Sequence, residues 1–198
     1  HIVFDGLKHT YTNVNTGELY TSVTTFTKTY TPVFDSDKVS RYKALEALLG
    51  VKPKQDTMYY VTNKILKIED IVLEQYKILL NWSIKGSNAT TKGTIIHNIQ
   101  EQKESFIYDN KEYFVGNDIV TDLEGIYPEF LIYNDRLKIA GQIDLIIKTL
   151  EGLVILDYKT NKEIELSNKY SKLEYPFHLL DNCNFNVYSM QLSLYAYL

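Results

Sequence analysis

The segment GLVILDYKT, residues 152–160, decides the fold. Its four apolar residues, Leu153 to Leu156, form a short run that is typical of a buried strand and that follows a glycine. The run leads directly into an acid, Asp157, and a base, Lys159. Because side chains alternate along a strand, Asp157 and Lys159 are expected on one face. The segment therefore predicts a well-supported strand whose end presents a charged site.

A second acid, Asp144, lies in the apolar segment LKIAGQIDLIIKTL, residues 137–150. The tight connection at Glu151 and Gly152 makes the two strands antiparallel, so that Asp144 and Asp157 come close along the ladder. Two adjacent carboxylates repel each other and are costly to bury, and a divalent cation removes that cost. A neighbouring lysine can orient a water and stabilise negative charge that develops at a phosphate. The two strands therefore predict a metal site for phosphate chemistry.

The hydrophobic periodicity changes from helical to strand-like along the chain. Helices are predicted over 35–50, over 58–85 in two pieces, from Thr90 or Thr91 to about Phe106, and over 187–198. Gly86 is predicted to break the helix that ends at residue 85. Strands are predicted as a hairpin over 7–26 with a turn at Asn15–Gly17, a short strand at 112–118, and three antiparallel strands at 126–134, 137–150 and 152–160. The expected fold class is α/β (α+β), with a central mixed sheet flanked by helices. The last helix has no cap, so the natural chain is expected to continue past Leu198.

The composition excludes several kinds of site and leaves others open. Cys183 is the one cysteine, which excludes an intrachain disulfide, a cysteine zinc site and an iron–sulfur cluster within this chain. No apolar run approaches a transmembrane helix and no signal-peptide pattern is present, so an intracellular protein without a membrane partner is expected. The net charge is −4, yet the segment from Ser36 to Lys67 carries seven basic and three acidic residues. This segment predicts a DNA-contacting patch at Lys38, Arg41 and Lys43, with a solvated helix face as the alternative.

The strand segments GQIDLI and ILDYKT resemble motifs II and III of the PD-(D/E)XK nuclease superfamily, and more narrowly its RecB-like branch. Three further segments resemble motifs of that branch: GTIIHNIQE at 93–101, YPEF at 127–130 and QLSLY at 191–195. All five occur in the order of the branch, and the resemblance covers Ala89 to Tyr195. The segment from Trp82 to His97 and the segment YTSVT at 20–24 are also similar to phage and mitochondrial exonucleases of this branch.

The resemblance implies a restriction-endonuclease-like core over 89–198. The N-terminal hairpin and helices over 1–88 have no counterpart in the motifs, and we expect them to form a cap that guides DNA. The implied site residues have distinct roles. Asp144 and Asp157 bind Mg²⁺ or Mn²⁺, and His97 adds an imidazole ligand. Glu129 lies at the edge of the metal or orients a water, and Lys159 is the catalytic lysine. Gln191 and Tyr195 close the site and contact the substrate backbone. Glu101 is either a hydrogen-bond partner of the His97 imidazole or a distant metal ligand, and Tyr158 supports the ligands.

The implied activity is that of a metal-dependent DNA nuclease, most simply an exonuclease. It would act on DNA ends or single strands in recombination, repair or replication, in a bacterium or a phage-infected cell. Since only Cys183 is present, the chain differs from the subset of the branch that holds an iron–sulfur cluster. Two alternatives stay open: a structure-specific or restriction-type endonuclease, and a non-catalytic nucleic-acid-binding or virion protein with a nuclease fold. Self-association and a partner protein are open as well.

Overall fold

The computed structural model describes residues 1–198, which form two compact units. The first unit contains His1–Pro32 and Ile95–Leu198, and the second contains Val33–Thr94. The strands are β1 Ile2–Asp5, β2 Thr10–Asn13, β3 Leu19–Ser22, β4 Ser105–Tyr108, β5 Lys111–Phe114, β6 Gly125–Asn134, β7 Ile139–Lys148 and β8 Leu153–Leu156. The helices are α1 Val23–Lys28, α2 Ser36–Leu49, α3 Thr57–Thr62, α4 Ile68–Glu101 and α5 Asn184–Tyr197. None of the helices combines the length and the hydropathy that crossing a membrane requires.

Strand β7 is the centre of the main sheet. Strand β6 pairs with it antiparallel along one edge, in the register that joins Phe130 to Ile143. Two strands share the other edge: β3 pairs in parallel near the start of β7, and β8 pairs antiparallel near its end. Strands β2 and β1 extend the sheet beyond β3. The predicted mixed sheet and its three antiparallel strands are therefore confirmed, and the β7 edge is unpaired between Ala140 and Leu145.

Helices α1 and α5 pack together and cover the region around this open edge. Their contact with the sheet is close at Gly141. A Cβ atom at Gly141 would lie 2.6 Å from Tyr195 Cε1 and 2.9 Å from Val23 Cγ2. Tyr195 and Val23 form one buried cluster with Ile143 and Ile146 of β7. The glycine therefore lets α5 approach the strand at a distance that any other residue would prevent.

Two local predictions at the start of the chain are confirmed. Strands β2 and β3 form the predicted hairpin, and its turn places Gly17 at a positive φ of 72°. The hairpin ends at Ser22, however, and residues 23–26 are helical. The hydroxyl of Ser22 accepts a hydrogen bond from the Thr25 N–H, which starts α1 there. In the second unit, the helix predicted over 35–50 is confirmed as α2, which Asp35 caps and Gly50 ends at a φ of 70°.

The predicted helix break at Gly86 is wrong. Helix α4 runs without interruption from Ile68 to Glu101, so the separate helix predicted from Thr90 or Thr91 to Phe106 is wrong as well. The threonine hydroxyls point back into the helix: Thr90 donates to the Gly86 carbonyl and Thr91 to the Ser87 carbonyl. These hydroxyls therefore bond within the helix as interior threonines can, and they do not cap a new one. One interior glycine costs only about 1 kcal/mol, which a long helix tolerates.

The end of the predicted helix belongs to a second, two-stranded sheet. Phe106 lies in β4, which pairs antiparallel with β5 in the register that joins Phe106 to Tyr113. The predicted short strand over 112–118 corresponds to β5 but ends at Phe114. Strand β8 is covered less than its apolar sequence indicates, since Leu153 is exposed and the next three residues are half-buried.

The second unit has its own small core. Leu45 of α2, Tyr60 of α3 and Ile71 of α4 form its buried apolar cluster. The buried side chain of Gln75 donates to the Asp37 carbonyl at 3.1 Å and to Ser40 Oγ at 3.1 Å. These polar contacts satisfy a buried amide and fix α4 against α2 within this unit.

Gly141 and Gly86 provide a matched pair of substitutions with opposite expected signs. Gly141→Ala should destabilise the protein by about 1–3 kcal/mol, because the new methyl group overlaps Tyr195 and Val23. Gly86→Ala should stabilise it by about 0.5–1 kcal/mol, because alanine is the better helix former and nothing lies within 4 Å of the added Cβ. Chemical denaturation of both variants checks this, and a neutral Gly141→Ala would contradict the close packing.

Candidate active site

Three carboxylates lie in one row across the sheet. The residues are Glu129 on β6, Asp144 on β7 and Asp157 directly after β8. Asp144 occupies the central place, because the register puts Glu129 opposite it on one side and Asp157 on the other. The flanking register pairs are Pro128 with Leu145, Phe130 with Ile143, and Leu145 with Leu156. The predicted proximity of Asp144 and Asp157 therefore follows from the strand pairing.

Helix α4 adds an imidazole beside the central carboxylate. His97 Nδ1 lies 3.6 Å from Asp144 Oδ1, and both side chains belong to the first unit. One potential ligand atom from each of His97, Glu129 and Asp144 lies within 4.8 Å of the other two. Carboxylate and imidazole donors at this spacing suit a divalent cation. These three residues are therefore a candidate metal site.

Tyr158 supports this site through its main chain. Its N–H donates to Asp144 Oδ2 at 2.6 Å, and its carbonyl oxygen lies 3.3 Å from His97 Nε2. The rings of Tyr158 and His97 meet edge to face, with centroids 6.0 Å apart. One residue at the exit of β8 thus orients both a carboxylate and an imidazole, and the hydrogen bond at Nε2 leaves Nδ1 facing Asp144.

Asp157 has different neighbours from Asp144. Its side chain is only 7% exposed and forms an ion pair with Lys159. The Gln191 side-chain amide donates to Asp157 Oδ1 at 3.1 Å, and Lys159 Nζ lies 3.5 Å from Gln191 Oε1. Asp157 is not one of the three residues whose ligand atoms lie within 4.8 Å of one another. Its predicted role as a metal ligand stays a prediction.

Gln191 and Tyr195 lie four residues apart on one face of α5 and are both buried. The Tyr195 hydroxyl donates to the Gln142 carbonyl at 3.0 Å, and Gln191 Nε2 donates to the Tyr195 oxygen at 3.4 Å. Burial raises the pKa of Tyr195, so its hydroxyl stays a donor. The pair joins α5 to β7 and to Asp157, while the predicted contact with substrate stays a prediction.

Burial and mutual repulsion raise the pKa of two carboxyl groups in the row, Glu129 and Asp144. The pKa of Glu129 is raised to about 7, chiefly by burial and then by the negative charges of Asp144 and Glu101. Burial also raises the pKa of Asp144; the Tyr158 N–H opposes this and the charge of Asp157 adds to it. Raised pKa values at two neighbouring acids indicate that their negative charges lack sufficient compensation by positive charge. A divalent cation would supply that charge, so the donor set fits a metal ion.

The backbone at Glu129 is unusual for a strand. Its φ is 48°, in the left-handed region that non-glycine residues seldom adopt. The side chain of Gln142 donates to the Glu129 carbonyl at 3.1 Å and holds this conformation. Sequence reasoning gave Gln142 no role, although its spacing of two from Asp144 put it on the same face of β7.

The remaining predicted residues occupy two places. Glu101 lies one turn after His97 on α4, and its charge helps to raise the pKa of Glu129. In the second unit, Lys38 and Arg41 line a cavity of about 400 Å³, together with Tyr42, Gln55 and Met58. Arg41 also pairs with Asp37 at 2.7 Å. Lys43 is not part of that lining. Their predicted contacts with DNA stay a prediction.

Glu129→Gln tests the electrostatic strain. The pKa of Glu129 is raised from 4.5 to about 7 in the folded protein. The contribution of Glu129 to the free energy of unfolding is therefore fully present below about pH 4.5 and is lost as pH rises through 7. The variant should therefore be more stable than wild type at pH 8, by about 1 kcal/mol for a half-buried, partly screened group. Denaturation without metal at pH 4.5 and 8 checks this. The control is Glu104→Gln, which removes an exposed charge; an equal gain there would contradict the explanation.

Comparison with known proteins agrees with this geometry. Searches of curated proteins and of solved structures gave no significant match. The family model of the PD-(D/E)XK nuclease superfamily matches residues 72–198, which is more than half of the chain and includes every residue of the carboxylate row, His97, Lys159 and the buried face of α5. The chain belongs to the PD-(D/E)XK nuclease superfamily.

Proposed function

We propose that this nuclease hydrolyses DNA with Mg²⁺ or Mn²⁺ and acts as an exonuclease of the RecB-like type on DNA ends or single strands. One observation carries the proposal: the row of Glu129, Asp144 and Asp157 lies between an imidazole on one helix and a lysine at the strand exit. DNA recombination, repair or replication, as in a phage, is the setting that the RecB-like resemblance supports.

His97, Glu129 and Asp144 are the proposed metal ligands, with Asp157 joining them from the other side of Asp144. When bound, the metal supplies Lewis-acid polarisation of the scissile phosphate. The protein contributes the placement: the Tyr158 main chain orients Asp144 and His97, and Gln142 holds the Glu129 backbone. The ligands are therefore preorganised by contacts that do not involve the substrate.

Lys159 is the proposed catalytic cation. Its side chain is 26% exposed, so its ammonium group is accessible from solvent while it contacts Asp157 and Gln191. A lysine in this position can stabilise negative charge on a phosphate and orient an attacking water. The buried Gln191 amide restrains Asp157 at the same time, which keeps the carboxylate and the ammonium in one fixed arrangement.

Two variants separate the proposed ligand from the proposed catalytic lysine. Asp144→Asn should weaken Mn²⁺ binding and lower the nuclease rate by about 100-fold or more, because it removes the central charge of the cluster. Lys159→Met should lower the rate to a similar extent but leave Mn²⁺ binding intact or tighter, because a competing positive charge is lost. Calorimetry with Mn²⁺ and a cleavage assay check both. Equal loss of Mn²⁺ binding in the two variants would contradict the assignment.

Substrate geometry tests the exonuclease proposal in the same assay. Linear single strands labelled at the 5′ or the 3′ end, a linear duplex and a closed circle are each incubated with wild type and Mn²⁺. Cleavage of the linear DNA alone supports end-dependent digestion, and the label that is released first gives its direction. Cleavage of the circle would establish an endonuclease instead. A wild type that binds Mn²⁺ and DNA but cuts none of these substrates would support a non-catalytic binding protein.

The basic residues of the second unit are proposed to bind the DNA backbone. Lys38 and Arg41 line one cavity on α2 together with Tyr42, whose ring is exposed and available for stacking on a base. Lys43 lies on the same helix and is exposed. A cation beside an aromatic ring is a common arrangement for sequence-independent binding of single strands.

Neutralising Lys38, Arg41 and Lys43 to glutamine should weaken DNA binding and flatten its salt dependence. The magnitude of the slope of log K against log salt should fall by about 2, because each of the three lost contacts with a single-strand phosphate contributes about 0.7. Fluorescence anisotropy over a series of NaCl concentrations measures the slope. Lys8→Gln with Lys28→Gln, two exposed lysines of the first unit, is the control. An unchanged slope in the triple variant would exclude these residues as phosphate contacts.

A further inference from the structure

Lys159 has a third neighbour besides Asp157 and Gln191. Its Nζ lies 4.7 Å from the centroid of the Tyr188 ring, a distance at which an ammonium is attracted to the face of an aromatic ring. Tyr188 precedes Gln191 by three residues on α5, so both side chains lie on one face of that helix. One helix face therefore presents an amide and an aromatic ring to the same ammonium group.

The Tyr188 ring is itself held in place. Its hydroxyl donates to Asn161 Oδ1 at 2.8 Å. Asn161 follows Lys159 by two residues in the segment after β8, so the ring is tied to the segment that carries the lysine. This hydrogen bond limits rotation of the tyrosine side chain and keeps its face towards Lys159 Nζ. Neither Tyr188 nor Asn161 belongs to the sequence motifs of the site.

We propose that Tyr188 is a positioning residue that keeps the Lys159 ammonium in place for catalysis; this inference rests on the proposed nuclease function. The reason is electrostatic. An ion pair with Asp157 alone would weaken whenever Asp157 serves another cation, since one carboxylate would then share its charge between two. A neutral ring attracts the ammonium without a formal negative charge, so it neither competes for that cation nor repels a phosphate.

The alternative is that Tyr188 simply fills space on a half-buried helix face. Three substitutions distinguish the two explanations. Tyr188→Phe keeps the ring and loses only the hydrogen bond to Asn161. Tyr188→Leu keeps much of the apolar volume but removes the aromatic face. Tyr197→Leu, at an exposed position of the same helix, controls for the loss of a tyrosine from α5.

Steady-state cleavage of a labelled linear single strand with Mn²⁺ gives the first measurement. Tyr188→Leu should lower kcat by about 3- to 30-fold with little change in KM, the range that a cation–π contact of a partly desolvated lysine supports. Tyr188→Phe should retain most of the rate, and Tyr197→Leu should match wild type. The positioning role would be overturned if the Leu and Phe variants lost equal activity. It would also be overturned if the Leu variant were as active as wild type while Lys159→Met was inactive. Either result would leave the proposed nuclease function intact.

A second measurement needs no activity. Lysines are labelled by reductive ¹³C-methylation, and the Lys159 signal is assigned through Lys159→Arg. In metal-free protein that signal should show an upfield ring-current shift in wild type and in Tyr188→Phe, and the shift should disappear in Tyr188→Leu. An unshifted wild-type signal would overturn the contact itself. A shifted signal in a protein that cleaves none of the DNA substrates would overturn the proposed function and, with it, the catalytic role of Tyr188.

Discussion

The constraint on which this structure depends is the repulsion among three carboxylates that strand pairing forces into one row. Neither Glu129 nor Asp144 can leave the row without breaking the register of β6 and β7. Burial of the row makes the repulsion stronger, since the interior screens charge poorly. The groups around it are those that reduce the cost: the Tyr158 N–H and the His97 imidazole at Asp144, and the Lys159 ammonium at Asp157. Helix α4 brings His97 to the sheet and helix α5 brings Gln191, while Tyr158 and Lys159 come from the segment after β8.

The open edge of β7 gives α5 its place in this arrangement. Because β3 and β8 pair with different parts of the edge, the carbonyl of Gln142 is left for a side chain to satisfy, and Tyr195 donates to it. The missing side chain at Gly141 allows the Tyr195 ring to come that close. The close packing of α5 against β7 also places the Gln191 amide within hydrogen-bond distance of Asp157. A glycine and an unpaired carbonyl, neither of them charged, therefore determine where the polar face of α5 meets the acids.

The parts of the fold that could be predicted are those that depend on short-range patterns. The period of two in β7 and the tight turn before Gly152 were sufficient to place Asp144 beside Asp157. The helix predicted over 35–50 likewise matches α2. The parallel pairing of β3 with β7 joins segments more than a hundred residues apart, and nothing in either segment indicates it. The helix break was predicted wrongly because a glycine followed by threonines can either end one helix and begin another or lie within a continuous helix.

The same limit applies to the site. Residue type and spacing identified Asp144, Asp157 and Lys159, because each carries a charge that needs an explanation, and the family resemblance added Glu129 and His97. They did not show that Asp157 contacts Lys159 and Gln191 while Asp144 contacts His97, which depends on how α4 and α5 pack. Gln142 and Tyr188 were missed because amides and tyrosines are ordinary packing residues. With 17 tyrosines in the chain, no pattern singles out the one that faces an ammonium.

Tyr158 has a consequence for engineering this protein. Both of its polar contacts come from the main chain, so they are independent of the residue type at position 158. Its ring packs edge to face against His97 and against the buried cluster of Tyr113, Ile126, Leu145 and Ile147. A non-natural aromatic amino acid close to tyrosine in size and shape can therefore replace it there and keep the hydrogen bonds to Asp144 and His97. Position 158 is thus the place to install an optical reporter within contact distance of the candidate metal ligands.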